Sequence, residues 1–574
     1  MICYFCCILL CLNGMQKPPQ MESANAAAEA EIIFVNGDIF PGESLLERYI
    51  GHAKSVSAVP AERAQALAVR DGRIISVGSN ADIEKLKGMK TAVVDLAGHF
   101  VMPGFNDAHV HLAYGGFERL KVELVGTKSL DDMKSRIAAH VQKAGPGEWI
   151  EGRGWDHTLW PDGRLPTRQD LDAVTAGHPA IFGRVDGHIA VANTEALKLA
   201  GITSKTAVPP GGKIDRDAQG EPTGILREAP AMELVRSKIP KPNAAQRRRG
   251  LELVFEEAAR WGVTSAQDNS EWEDFLVCEQ LKREGKLTLR ISEWLPFKAP
   301  IEELKQRRDH HPHSDLMLHT GMLKGFMDGS LGSRTAAMLA PYTDDPGNSG
   351  LPQYEQAKLD AMTKERAAAG FQIGFHAIGD RGVDMALKTF AAAEAAAPDS
   401  KRLRFRIEHA QVLAPGDIDR FRKLGVIASM QPSHLLTDMN WAEARIGPER
   451  ARFSYDWKGF ARNGVPLAFG TDFPVEPITP FRGLYVAVTR KNEAGTKQYV
   501  YGEPLNIDEA IAAYTVGAAY AEFAEQDKGF LAPGKLADFV VLDRDITKIA
   551  PAEILGTKVL RTVIGGKTVY AAEK

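Results

Sequence analysis

The chain has 574 residues, 44% hydrophobic and 25% charged, with a formal net charge of −4. That length exceeds one ordinary core and suggests roughly two to four domains, or one barrel of about 250 residues with large additions. The near-neutral charge excludes a basic face for nucleic acid, and no polybasic tract points to a membrane surface.

The chain opens on MICYFCCILLCLNGMQ, an apolar run of signal-peptide length that is too short to span a bilayer. It lacks the basic region that usually starts a secretory signal. Ala24-Asn25-Ala26 offers an A-x-A cleavage site, rather far downstream. Two readings stay open: an atypical signal peptide, or an over-extended start with Met15 or Met21 as the true one. Residues 1–29 are therefore set aside from the fold. Four of the five cysteines (Cys3, Cys6, Cys7 and Cys11) lie here, and Cys278 stands alone in the body. No disulfide can form within the body, which fits the cytoplasm and leaves export open.

EIIFVNGDIF alternates like a strand, and AQALAVRDGRIISVGS reads as a hairpin turning at Asp71-Gly72. TAVVDLAGHFVMPG is further strand. The C-terminus has the same texture, in ADFVVLDRD and in KVLRTVIGGKTVYAAEK with a turn at Gly565-Gly566. The two ends, 30–103 and 530–574, are expected to pair into one small β-sandwich. Between them helices alternate with apolar strands, the pattern of a parallel α/β domain. FVMPGFNDAH, GVTSAQD, LTLRISEW, HTGMLKGFMD, FQIGFH, LRFRIEH, GVIASMQ and VPLAFGTD are eight apolar runs, each ending on polar residues. Eight is the number a TIM-like (β/α)8 barrel needs, so residues 104–529 are assigned to one. The gap after the first run is far too long for one helix. Residues about 120–250 are read as an insertion folding like a lid over the barrel mouth. SLDDMKSRIAAHVQKAG carries the capping-box pattern Ser129-x-x-Asp132 and should end by Gly145. NIDEAIAAYTVGAAYAEF reads as the last barrel helix.

His109-x-His111 follows the first apolar run. On a strand, residues i and i+2 point the same way, which sets two imidazoles side by side. Alone this is a weak signal, since an H-x-H is more often surface or core histidine. His376, His409 and Asp472 each end another apolar run, at the carboxyl end of a proposed strand, where barrel active sites are built. Singly, each reads as a buried, hydrogen-bonded polar residue; as an ordered set they point to metal. Lys324 sits late in the fourth run among apolar neighbours. It either snorkels to water or is carboxylated by CO₂ to a metal-bridging carbamate, and spacing does not choose.

PGFNDAHVHL, LKGFMDGSLGSRTA, GFHAIGDR, RIEHAQ, QPSHLLTD, GTDFPVEP and GFLAPGKLADFVVLD together resemble the amidohydrolase superfamily, in the branch of YtcJ-like proteins and N-substituted formamide deformylases. The GRGWDHTLW and RVDGHIAVAN blocks of the insertion resemble it too. The resemblance implies two divalent ions, zinc by default. His109, His111 and Asp472 would hold the first, His376 and His409 the second, and a carboxylated Lys324 would bridge them. A bridging hydroxide would attack the substrate, with Asp472 as proton shuttle. His434, in QPSH, is a candidate to polarise the substrate carbonyl. His188, Trp155, Asp156 and Asp328 are candidate substrate contacts, although packing competes as the role of Trp155. His99, His157, His178, His310, His311 and His313 are read as surface or loop residues.

The expected activity is hydrolysis of a non-peptide C–N bond in a small, fairly apolar molecule. Hydrolysis of a lactone, ester or carbamate by the same centre is the alternative within catalysis, and a non-catalytic barrel scaffold the one outside it. No G-x-G-x-x-G follows a strand and no G-x-S-x-G is present, which disfavours a dehydrogenase and a serine hydrolase. A homo-oligomer is left open, and no integral membrane association is expected.

Overall fold

The computed structural model describes residues 29–45 and 63–573. The apolar start and its candidate cleavage site lie outside the described residues. No helix among the described residues is long and apolar enough to cross a membrane.

All eight proposed barrel strands are present: β1 (Phe105–Val110), β2 (Val263–Asp268), β3 (Arg290–Pro296), β4 (Leu318–Phe326), β5 (Ile373–Ala377), β6 (Arg406–His409), β7 (Ile427–Met430) and β8 (Leu467–Phe469). They form one parallel sheet in sequence order. Helices cover the outer face, so both strand faces are buried and the strands read as apolar runs rather than strict alternation. The sheet closes through the segment after β8. Asp472 N donates to His109 O at 2.8 Å and His111 N to Phe473 O at 2.7 Å. The buried Asp107 carboxylate ties β1 to the same segment, accepting from Thr471 N at 2.9 Å and Thr471 Oγ1 at 2.6 Å.

The first proposed run divides at Gly104. Gly104 N donates to Asp538 O, whereas Phe105 N donates to Gly262 O, so the hydrogen-bonding partner changes from the C-terminal segment to the barrel between neighbours. Phe100–Pro103 therefore belongs to a five-stranded sheet with Asp38–Ile39, Phe539–Leu542, Val559–Ile564 and Lys567–Ala571. A four-stranded sheet is built from the N-terminal strands alone: Ala30–Val35, Ala66–Arg70, Arg73–Gly78 and Lys87–Asp95. The chain ends thus pair within the five-stranded sheet, and the two sheets share an apolar core that includes Phe34, Val69, Val101, Phe539 and Val563. At each predicted hairpin both turn residues have positive φ: 50° and 72° at Asp71-Gly72, 55° and 76° at Gly565-Gly566.

The insertion forms a six-stranded sheet of its own, from Val122–Glu123 to Pro222–Arg227. Alternate residues of its strands serve two apolar cores. Phe182 and Val191 face one with Trp155, while Ile181 and Ala190 face the other with Leu226 and Met232. The helix Leu130–Val141 starts as expected, with Ser129 Oγ accepting from Asp132 N. The Asp132 carboxylate returns to Lys128 N rather than to Ser129. The predicted last helix is two, Ile507–Tyr514 and Val516–Ala521. They break at Thr515 (φ −128°, ψ −90°), whose hydroxyl donates to Ile511 O at 2.8 Å.

Candidate metal centre

A cleft of about 460 Å³ opens at the carboxyl ends of the barrel strands, and His109, His111, Lys324, His376, His409, His434 and Asp472 all line it. β1 supplies His109 and, just past its end, His111; β4 supplies Lys324, β5 His376, and β6 ends on His409. His434 opens a short helix after β7, and Asp472 follows β8. His409 (φ 73°) and Asp472 (φ 58°) both adopt the left-handed conformation, which bulky side chains avoid unless their surroundings impose it. At β6 this turn lets Glu408 and His409 both serve the barrel interior, although consecutive strand residues normally point apart. Gly470 is required by proximity: a Cβ there would lie 2.5 Å from His109 N.

Asp472 is the hub. Its Oδ1 lies 3.2 Å from His111 Nε2 and 3.5 Å from His109 Nε2, and its Oδ2 lies 3.4 Å from His434 Nε2. One nitrogen each of His109 and His111 and a carboxylate oxygen of Asp472 fall within 4.8 Å of one another, and so do those of His409, His434 and Asp472. The second group thus contains His434, where the sequence pattern places His376. His376 Nε2 is 3.0 Å from Gly329 O, and its ring stands 4.4 Å from that of His409. His409 Nδ1 and His434 Nε2 are buried without a hydrogen-bond partner.

Burial, and then Lys324, pull His109 down to about 3 and His376 to about 4; burial, and then His376, hold His409 well below the usual range. Neutral imidazole is the form that binds a cation. Burial would raise Asp472, but His109, His111 and His434 outweigh it and keep it ionised. Burial would lower His434, but the Asp472 carboxylate outweighs that and raises it. Lys324 Nζ is 3.1 Å from His109 Nε2 and 4.8 Å from the Trp294 ring centroid, and no carboxylate among the described residues pairs with it. Burial brings it down to about 8.

Beneath the centre lies a network that the sequence reading missed. His109 Nδ1 is 2.9 Å from Glu408 Oε2, with both side chains at most 1% exposed. Ser429 Oγ donates to that oxygen at 2.7 Å, and Arg406 Nε donates to Glu408 Oε1 at 2.8 Å. Arg406 also donates to Gln267, to Ala108 O and to Ser429 Oγ. Glu408 accepts the proton of His109 Nδ1 and so leaves the lone pair on Nε2, which faces Lys324 Nζ at 3.1 Å. The signal was present in RIEH, where two charged residues alternate into a buried strand directly before a candidate ligand.

Of the four candidate substrate contacts, Trp155, Asp156 and His188 lie elsewhere, while Asp328 stands behind the centre with its Oδ1 3.5 Å from His376 Nε2. Trp155 is fully buried in a core of the inserted sheet, its Nε1 donating to Phe182 O at 2.9 Å. Asp156 pairs with Arg184 at 2.7 Å. His188 is exposed and meets Glu228 at 2.9 Å. No described residue from 120 to 250 lines the cleft. The insertion's residues are consumed by packing and by local ion pairs. Asp328 is buried and bonded to loop backbone, accepting from Ala337 N, Ile378 N and Gly379 N at 2.8–3.0 Å. It positions the loops after β4 and β5 rather than a ligand.

A parallel barrel with histidines and an aspartate gathered at its carboxyl mouth defines a metal-dependent hydrolase. Residues 92–570 match the model of the amidohydrolase family, and the chain belongs to that family. It is 36% identical to Protein LONG AFTER FAR-RED 3 of Arabidopsis thaliana, covering 95% of this chain and 92% of that protein. It is 31% identical to Putative amidohydrolase YtcJ of Bacillus subtilis (89% and 96%) and 26% identical to N-substituted formamide deformylase of Arthrobacter pascens (88% and 95%). Among solved structures, an uncharacterized metal-dependent hydrolase from Pyrococcus furiosus is 30% identical with a TM-score of 0.71, covering 90% of this chain and all of that one.

Proposed function

We propose that this chain hydrolyses a non-peptide, amide-type C–N bond of a small molecule, using two divalent ions held by His109, His111, Lys324, His376, His409 and Asp472. The observation that carries the reading is the convergence of imidazoles on one carboxylate, with His409 Nδ1 buried and unpartnered, a cost that a bound cation removes. Histidine-rich donors suit zinc, and such ions acidify a bound water and polarise a carbonyl. The chain's own groups do the rest. Asp472 stands in its ionised form, able to accept the proton of the attacking water and return it to the leaving nitrogen. His434 lines the cleft with its Nε2 3.4 Å from Asp472 Oδ2, and would donate from that nitrogen to the substrate carbonyl. A buried lysine without a carboxylate partner fits conversion to a carbamate: the ammonium gives up one proton, the neutral Nζ adds to CO₂ and gives up a second, and the resulting anion would serve as a ligand for the cations. The 26% identity to a protein named N-substituted formamide deformylase favours an amide over a lactone.

The test is metal analysis of purified protein together with a screen of N-acyl and N-formyl amines, amino-acid amides and lactones. Close to two ions per chain and release of free amine are expected. An active enzyme without metal, or turnover of lactones alone, overturns the reading.

A further inference from the structure

The cleft wall is sorted by charge. Apart from Lys324, no lysine or arginine lines it among the described residues. Its apolar lining is Phe326, Leu331, Ile378, Trp441 and Val475. Phe326 and Val475 are 45% and 65% exposed, large apolar groups left in water beside a polar centre. Two carboxylates stand among them, and both are occupied. Asp438 accepts from the Tyr455 hydroxyl at 2.7 Å. Glu476 is paired with Arg482, which also donates to Glu493 at 2.7 Å. Arg482 is thereby satisfied twice and does not line the cleft.

We infer that the substrate is an uncharged amide whose substituent away from the scissile bond is apolar, and that the cleft selects against carboxylate-bearing amides. A carboxylate brought to this wall loses its water, meets no counter-ion and faces Asp438 and Glu476. An aromatic or aliphatic group there covers Phe326, Trp441 and Val475 instead. Selectivity arises by exclusion as much as by attraction. The inference rests on the hydrolase reading of the same centre and adds the class of substrate.

The experiment compares an N-acylbenzylamine with its analogue carrying a carboxylate on the ring, using metal-loaded enzyme. The neutral compound should show kcat/KM at least tenfold higher, with the difference mainly in KM. Val475→Arg, at an exposed rim position, should shrink that ratio several-fold by supplying the missing cation. Equal or better turnover of the carboxylated compound, or a ratio unmoved by Val475→Arg, overturns the inference. If neither amide is cleaved, amide hydrolysis fails, and the charge preference is read from calorimetric binding of the same pair. Binding that favours the neutral amide then upholds it, and failure of the neutral amide to bind more tightly sinks it.

Discussion

The barrel has a cavity at each end, and the two are nearly equal in size: about 460 Å³ at the carboxyl mouth and about 450 Å³ at the floor. The floor is lined by Gln267, Trp294, Met322, Arg406 and Glu522 among others. It is polar, but its charges are paired. Glu522 takes Lys528 at 2.9 Å and Asn106 at 2.6 Å, and Arg406 spends its donors on Glu408, Gln267, Ser429 and Ala108 O. At the mouth, nitrogens converge on Asp472 and two remain unpartnered. Volume and polarity therefore do not distinguish the ends. The convergence of imidazole nitrogens on one carboxylate does, since the floor too holds a buried unpartnered atom, Glu522 Oε2.

That contrast can be broken by substitution. Asp472→Asn should fold, by circular dichroism, yet lose turnover by at least about 10²-fold as the proton shuttle goes; retained activity removes Asp472 from that role. Lys324→Ala should shed at least one ion per chain and most activity, and metal analysis showing both ions retained would end its bridging assignment. Glu408→Gln should weaken metal affinity by about 10–100-fold in a chelator competition, because the His109 tautomer is no longer enforced. At the opposite end, Glu522→Gln should leave metal content unchanged and cost stability of about 1–3 kcal/mol, measured by urea unfolding, as Lys528 loses its partner. Equal metal loss in these two variants would erase the distinction between the ends. The smallest effect is expected in the insertion, where His188→Ala should alter neither turnover nor stability by more than about 0.5 kcal/mol.

The strands and the histidines of the cleft were legible because both follow local rules. A buried parallel strand is an apolar run, and a barrel keeps its chemistry where that run ends. Glu408 was not legible as a partner of His109, because the contact joins β6 to β1 across about 300 residues and only the closed barrel brings them together. The break at Thr515 falls on Thr515-Val516-Gly517, a run of weak helix formers inside an otherwise helical stretch, and the Thr515 hydroxyl donates to Ile511 O there. Asp156 and His188 stand away from the cleft, because motif blocks reveal which residues occur together and not where a sheet places them, while Trp155 takes the packing role that competed for it. A six-stranded sheet with two cores needs such residues for its own assembly.

The seam between β1 and β8 has a consequence for folding. Asp107 and Thr471 sit far apart along the chain, so joining them closes the longest loop in the barrel, a step that costs chain entropy before it returns contacts. His109 and Asp472 flank that same seam, one on each side. An ion held by these two side chains would also clamp the first strand to the last. Loading the centre should then act like a cross-link placed where the cylinder would otherwise unzip, raising the melting temperature together with the activity.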